Sequence, residues 1–218
     1  MTTFIACDGS CIQEGTYRMG DDTDRPSAAA IVIKDKDGDI LTRSIPFKNS
    51  TIGKMEVFGI LMALRYVAYQ VSRGDTGPFH ISCDSQYAVN GYNQWLAGWA
   101  AKGYHKKGGL ANADLWREID EIKSQVSSYV QVVWVKGHAG DELNELADQA
   151  ANTAARTQKG VDTIELDPSV ESAPEYDPAK FDDFIDWLRD FEGGLPEKAK
   201  IDLMNKLDLF RAKIEKDR

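Results

Sequence analysis

Apolar positions along this chain change period several times, and each change marks an element. Residues 2–11 are apolar on both faces of an extended run, as in a strand at the centre of a sheet. Ala28 to Lys34 predicts a second strand and Ile40 to Phe47 a third. They are joined through Asp35-Lys36-Asp37-Gly38-Asp39, whose Asp-Gly step is a hairpin signal. The pattern then turns helical: Val57, Ile60, Leu61, Leu64, Val67, Ala68 and Val71 predict one buried stripe on a helix over about 53–72. Phe79 to Cys83 predicts a fourth strand, with helix from Ser85 onward. A helix over 114–126, a fifth strand over 129–135 and a helix over 141–157 complete this part. On that last helix Leu143, Leu146, Ala147, Ala150, Ala151 and Ala154 are the expected buried side. Three strands followed by alternating helices and strands imply an α/β domain with a mixed sheet.

Beyond this domain, over 1–158, the character of the chain changes. Pro168, Pro174 and Pro178 lie among acidic and small residues, so 159–177 reads as a linker. Asp177-Pro178 is a good helix start, and Phe181, Phe184, Ile185, Leu188 and Phe191 form a stripe that ends at Gly193-Gly194. A second helix over 196–216 carries Leu203, Met204, Leu207, Phe210 and Ile214, giving a helical hairpin over 178–218. Two helices bury little area alone, so their apolar faces call for intramolecular docking or a protein partner.

Composition narrows the class. A hydrophobic fraction of 42% and a charged fraction of 28% are ordinary for a globular protein, and no run of residues is apolar enough for a membrane helix. The start of the chain lacks the basic region of a signal peptide, and three cysteines (Cys7, Cys11, Cys83) are an odd number. Reduced thiols and a cytoplasmic location are therefore expected. Cys7 and Cys83 each precede an aspartate on a strand, which aims them at the opposite, packed face. The net charge of −9 is unevenly spread: residues 1–159 hold 17 basic and 19 acidic residues, whereas 160–218 hold 9 and 16. From Ser85 through Ala113 there are three lysines and no acid. That basic stretch, with tryptophans in it, is an electrostatic footprint for nucleic acid. The acidic tail could compete for the same stretch.

Four carboxylates stand in distinct settings. Asp8 and Asp84 each end a strand, Glu56 opens the periodic helix, and Asp148 lies within the last one. Brought together they would repel strongly unless something positive sat among them. Hard oxygen ligands without a Cys/His ligand pattern favour magnesium or manganese over zinc. A metal pair held by carboxylates is a device for cutting phosphodiesters.

Taken in order, these segments resemble type 1 ribonuclease H, in its bacterial-like form. Asp8-Gly9-Ser10, Lys54-Met55-Glu56 and Asp84-Ser85-Gln86-Tyr87 are similar to that family's first three blocks. Val135-Lys136-Gly137-His138-Ala139-Gly140 with Asn144-Glu145 and Asp148 is similar to its last. The resemblance covers residues 1–158. It implies a ribonuclease H-like fold with a five-stranded mixed sheet flanked by helices, the C-terminal helical hairpin being extra. It also implies hydrolysis of the RNA strand of RNA–DNA hybrids with two Mg2+ ions, Mn2+ serving as a substitute, and products with 5′-phosphate and 3′-hydroxyl ends. Catalytic roles then fall to Asp8, Glu56, Asp84, His138 and Asp148, the four carboxylates being metal ligands. The remaining alternatives are a catalytically inactive hybrid-binding module and a related metal-dependent nuclease acting on another nucleic acid.

For the substrate, the resemblance implies contacts to the RNA strand from Gly9, Ser10, Gln86 and Asn144, and a phosphate contact from Thr51. A basic protrusion for the DNA strand corresponds to the segment with Trp95, Trp99, Lys102, Lys106 and Lys107. The family's bacterial members often carry paired asparagines where this chain has Ile52 and Gly53, and more polar residues where it has Gly98, Ala100 and Ala101. Weaker, more salt-sensitive hybrid binding is the expectation.

Overall fold

In the computed structural model, residues 1–12, 25–106, 108–137 and 140–164 are described. Three antiparallel strands come first: β1 (Thr3–Cys11), β2 (Ser27–Lys34) and β3 (Ile40–Phe47). Helix α1 (Ile52–Ser72) carries the chain to β4 (Phe79–Cys83), which pairs parallel to β1; β5 (Val130–Trp134) pairs parallel to β4. A sixth strand, β6 (Val161–Asp162), pairs antiparallel with β3, giving the order β5-β4-β1-β2-β3-β6. The five-stranded expectation is thus corrected to six. The added strand comes from the start of the stretch expected as linker, where Val161 and Asp162 cover the open edge of β3 and Ile164 is buried. Two residues in a polar setting carry no legible strand signal, and pairing with an edge creates the strand. The hairpin expected over 178–218 lies outside the described residues.

The two faces of the sheet are built from different residue sizes. On one face Ile5, Cys7, Ile31, Ile33 and Ile81 meet Ile60, Leu61 and Leu64 of α1 in the main core. Cys7 and Cys83 are register partners there, buried and free. The other face uses alanines: Ala6 and Ala28 meet Ala147, Ala154 and Ala155 of α5 (Glu142–Thr157). Small residues on both sides let that helix lie close to the strands. Leu146, expected on the buried side, is instead 37% exposed, while Asn144 is buried. The helix is rotated so that its polar ridge, not only its leucines, faces the strand ends.

The expected single helix from Ser85 is three segments: α2 (Gln86–Asn90), a π-helical turn (Gly91–Trp95) and α3 (Leu96–Ala100). The widened turn falls where the Trp116 indole of α4 (Ala113–Val126) occupies the space of a side chain at Gly91; a β-carbon there would lie 2.3 Å from the ring. No described helix is long and apolar enough to cross a membrane.

Candidate active site

Strand register brings the first two acids together. β1 and β4 run parallel with Cys7 opposite Cys83, so Asp8 and Asp84 follow side by side at the same end of the sheet. Alternation puts Asp8 on the face covered by α5 and the next residue, Gly9, on the face covered by α1. A β-carbon at Gly9 would lie 2.5 Å from the Glu56 amide nitrogen and 2.6 Å from the Met55 carbonyl carbon. Glycine is thus required for the first turn of α1 to rest on the strand, and that contact brings Glu56 to the strand ends. Gly9 was expected to serve close approach of RNA, and the structure gives it this further duty.

Burial and like charge act together on these acids. Asp8 is only 6% exposed. Burial, with Asp84 and then Asp148 adding repulsion, pushes its carboxyl from 3.8 up to about 8, against an opposing hydrogen bond from the Gly9 amide. A side-chain hydrogen bond with Asp148 raises it further. Glu56 is raised as well, by burial first, with Asp84 adding to it and a hydrogen bond from Ser85 opposing. Asp8 thus feels the charges of Asp84 and Asp148, and Glu56 that of Asp84. His138 and Lys107 lie outside the described residues.

Four residues that hold these acids were not singled out from the sequence. Ser85 donates its hydroxyl to Glu56 Oε2 at 2.6 Å and accepts the Ala88 amide at 3.3 Å, making it the N-cap of α2. Asn152, one turn after Asp148, donates Nδ2–H to Asp148 Oδ1 at 2.6 Å and accepts the Ser10 hydroxyl at 2.7 Å. Trp134 donates its indole N–H to the Asp84 carbonyl at 2.8 Å. At Gly137 a β-carbon would lie 2.6 Å from Asp84 Oδ2. A helix-cap signal could have found Ser85, and the i, i+4 spacing from Asp148 could have found Asn152. The contacts of Trp134 and Gly137 depend on the parallel β4–β5 pairing and leave no local trace.

The expected substrate residues divide by exposure. Thr51, the N-cap of α1, and Gln86 are exposed, as are Lys102 and Lys106. Trp95 is 39% exposed and Trp99 half-buried. Asn144, expected at the substrate surface, is 2% exposed, and among the described residues its Oδ1 has no hydrogen-bond partner.

The RNase H family model matches residues 1–156. The chain belongs to the ribonuclease H family. It is 34% identical over 161 residues to the ribonuclease H of Aliivibrio salmonicida, an alignment covering 73% of this chain and 91% of the relative. It is 32% identical to the ribonuclease HI of Vibrio parahaemolyticus, covering 73% and 93%. Among solved structures it is similar to LC9-RNase H1, a type 1 RNase H with the type 2 active-site motif, at a TM-score of 0.59 and 29% identity, covering 75% of this chain and 79% of that one. A foamy viral protease–reverse transcriptase shares the fold at a TM-score of 0.59 and 20% identity, over 72% of this chain and 20% of that one. This ribonuclease H is of the type 1, bacterial-like kind, and it is a hydrolase of the nuclease class.

The acids of a ribonuclease H call for a divalent ion, and the donor set here can be tested against one. Among the described residues no group of three or more carboxylate, histidine or cysteine side chains is gathered tightly enough to enclose a cation unaided. Magnesium is usually held by one or two carboxylates together with waters and substrate phosphate oxygens. Pairs of carboxylates around a buried Asp8 that favours a proton at neutral pH fit that pattern, because the proton marks where positive charge is wanted.

Proposed function

We propose that this ribonuclease H is an endonuclease that hydrolyses the RNA strand of RNA–DNA hybrids, using two Mg2+ ions and leaving 5′-phosphate and 3′-hydroxyl ends. One observation supports the reading: Asp8 is buried at the end of β1 beside Asp84 in strand register, and burial with the repulsion of Asp84 and Asp148 pushes its carboxyl up to about 8. A buried acid with two acid neighbours is a liability in a merely structural role, and an asset where cations must be held. Membership of the family supports the hybrid as substrate, and the foamy viral structure of the same fold contains an RNA/DNA hybrid.

Asp8, Glu56, Asp84 and Asp148 are the residues that would hold the ions. Bound there, divalent ions would supply Lewis acidity toward a water nucleophile and toward charge developing on the phosphate oxygens. The chain's own residues do the rest. Ser85 and Asn152 fix the carboxylates of Glu56 and Asp148. Gly137 leaves room for Asp84. Gln86, exposed two residues past Asp84, offers an amide to the minor groove, where 2′-hydroxyls distinguish RNA from DNA. Thr51 would meet a phosphate, and Trp95 with Lys102 and Lys106 the DNA strand. His138 is assigned the movement of protons or the release of product.

The test is cleavage of end-labelled hybrid, duplex RNA and duplex DNA with and without Mg2+, with product ends mapped. RNA-strand cleavage only in the hybrid and only with metal is expected. Asp8→Asn should abolish cleavage while hybrid binding persists. Binding without cleavage by the unaltered protein would make it a hybrid-binding module instead.

A further inference from the structure

We infer that Asn152 is the positioning residue of Asp148 in this ribonuclease H, and that it ties this acid to Ser10 on the first strand. The inference rests on reading Asp148 as a metal ligand. Three observations carry it. Helical side chains lean toward the N-terminus, so a residue at i+4 reaches back over its partner, and Asn152 meets Asp148 Oδ1 at 2.6 Å. The amide gives its NH2 to Asp148, which turns Oδ1 toward Ser10, whose hydroxyl donates at 2.7 Å. Ser10 itself is 6% exposed, on the same face of β1 as Asp8, so the far end of the relay is set in rigid sheet.

With Oδ1 of Asp148 held by the amide, the carboxylate is anchored beside Asp8, where both acids would meet a cation. Ser10 has also committed its only proton inward. Toward a substrate it can offer lone pairs alone, so a ribose 2′-hydroxyl meeting it must be the donor. A contact with RNA at Ser10 and the orientation of a metal ligand at Asp148 are thereby linked through one side chain.

The experiment uses the full chain as Asn152→Leu, Asn152→Gln, Ser10→Ala and Asp148→Asn, with two readouts: Mn2+-dependent shift of the thermal unfolding midpoint, and steady-state cleavage of a hybrid. Asn152→Leu keeps the volume and removes both hydrogen bonds. It should raise the Mn2+ concentration for half-maximal stabilisation and lower kcat, each by about tenfold, the low end for loss of a partner behind a metal ligand, with KM for hybrid nearly unchanged. Asn152→Gln keeps the amide and should recover most of both. A folded Asn152→Leu with an unaltered Mn2+ response, or an Asn152→Gln as defective as Asn152→Leu, overturns the inference. If Asn152→Leu does not fold, Ser10→Ala decides, because it strips the amide of its second anchor. A higher Mn2+ requirement supports the relay and an unchanged one overturns it. An unchanged Mn2+ response in Asp148→Asn would sink the metal-ligand reading of Asp148 itself. A normal Asp148 effect with none at Asn152 sinks this inference alone.

Discussion

Gly137 faces Asp84 so closely that a β-carbon on it would lie 2.6 Å from Oδ2. The carboxylate sits where any other residue would place its side chain. Gly137→Ala is therefore expected to displace Asp84 and leave the fold alone, because the alanine meets a side-chain tip and not packed backbone. A misplacement on the order of 1 Å in a catalytic constellation costs about a hundredfold in rate. The check is kcat and KM for a hybrid beside the unfolding midpoint: kcat should fall with KM and midpoint near those of the unaltered protein.

Ser85 joins two tasks in one hydroxyl, capping α2 and donating to Glu56. Ser85→Ala should lose about 1 kcal/mol of stability from the cap. It should also change catalysis in a defined direction. The hydrogen bond favours the charged form of Glu56, opposing the burial that raises it. Its removal raises Glu56 further, so the acid limb of the kcat/KM profile should move to higher pH. Ser85→Thr keeps a hydroxyl and should leave the limb in place. An unmoved limb in the alanine variant would mean that Glu56 does not need its charge.

Most of the sheet was legible in the residues. The alternating and doubly apolar runs mark the first five strands within a residue or two, because their apolar side chains pack in or against the core and so record their environment. β6 was not legible, since Val161 and Asp162 are exposed and owe their conformation to backbone pairing with β3. The acids themselves were legible through their order along the chain, each at an element's end or on a helix. Their supports were not: Trp134 reaches Asp84 across strands joined only in three dimensions, and Gly137 is required by a carboxylate far away in sequence. The π-helical turn at Gly91 was hidden as well, since the ring of Trp116 that packs against it comes from a distant helix.

Metal-free protein should lose stability as pH rises. Asp8 has its carboxyl raised from 3.8 to about 8, so between those values the folded state holds a proton that the unfolded chain has released. Folding then binds protons, and stability falls with increasing pH across that window and levels off above it. Mg2+ should oppose the fall by replacing the proton, with the largest stabilisation at the alkaline end. Asp8→Asn has no carboxyl to titrate and should show a flatter profile. Chemical denaturation in EDTA at several pH values measures the slope. A stability that rises through the window in EDTA would mean that burial and the neighbouring acids do not raise Asp8.

The tryptophans of the basic segment should separate binding from packing. Trp95 is 39% exposed and touches Tyr87 and Trp99, with ring centroids at 6.2 and 5.7 Å. Trp99 continues inward to Trp116 at 5.1 Å, and Trp116 is fully buried. A ring at the outer end of such a stack is supported from beneath and offers its free surface to nucleic acid. Trp95→Ala should therefore weaken hybrid binding by about fivefold, the low end for an aromatic contact with nucleic acid, and hardly alter the unfolding midpoint. Trp99→Ala removes the support as well as the ring, so it should lower affinity and also cost about 2 kcal/mol of stability, less than a fully buried tryptophan would. Lys102→Ala should act differently again, reducing the salt dependence of binding by about one counterion and leaving the midpoint unchanged. Titrations of a fluorescent hybrid at several salt concentrations, in the Asp8→Asn background to prevent cleavage, compare the three variants directly. Equal affinity for Trp95→Ala and its Asp8→Asn parent would remove the segment's outer ring from the binding surface and leave the lysines as its sole contribution.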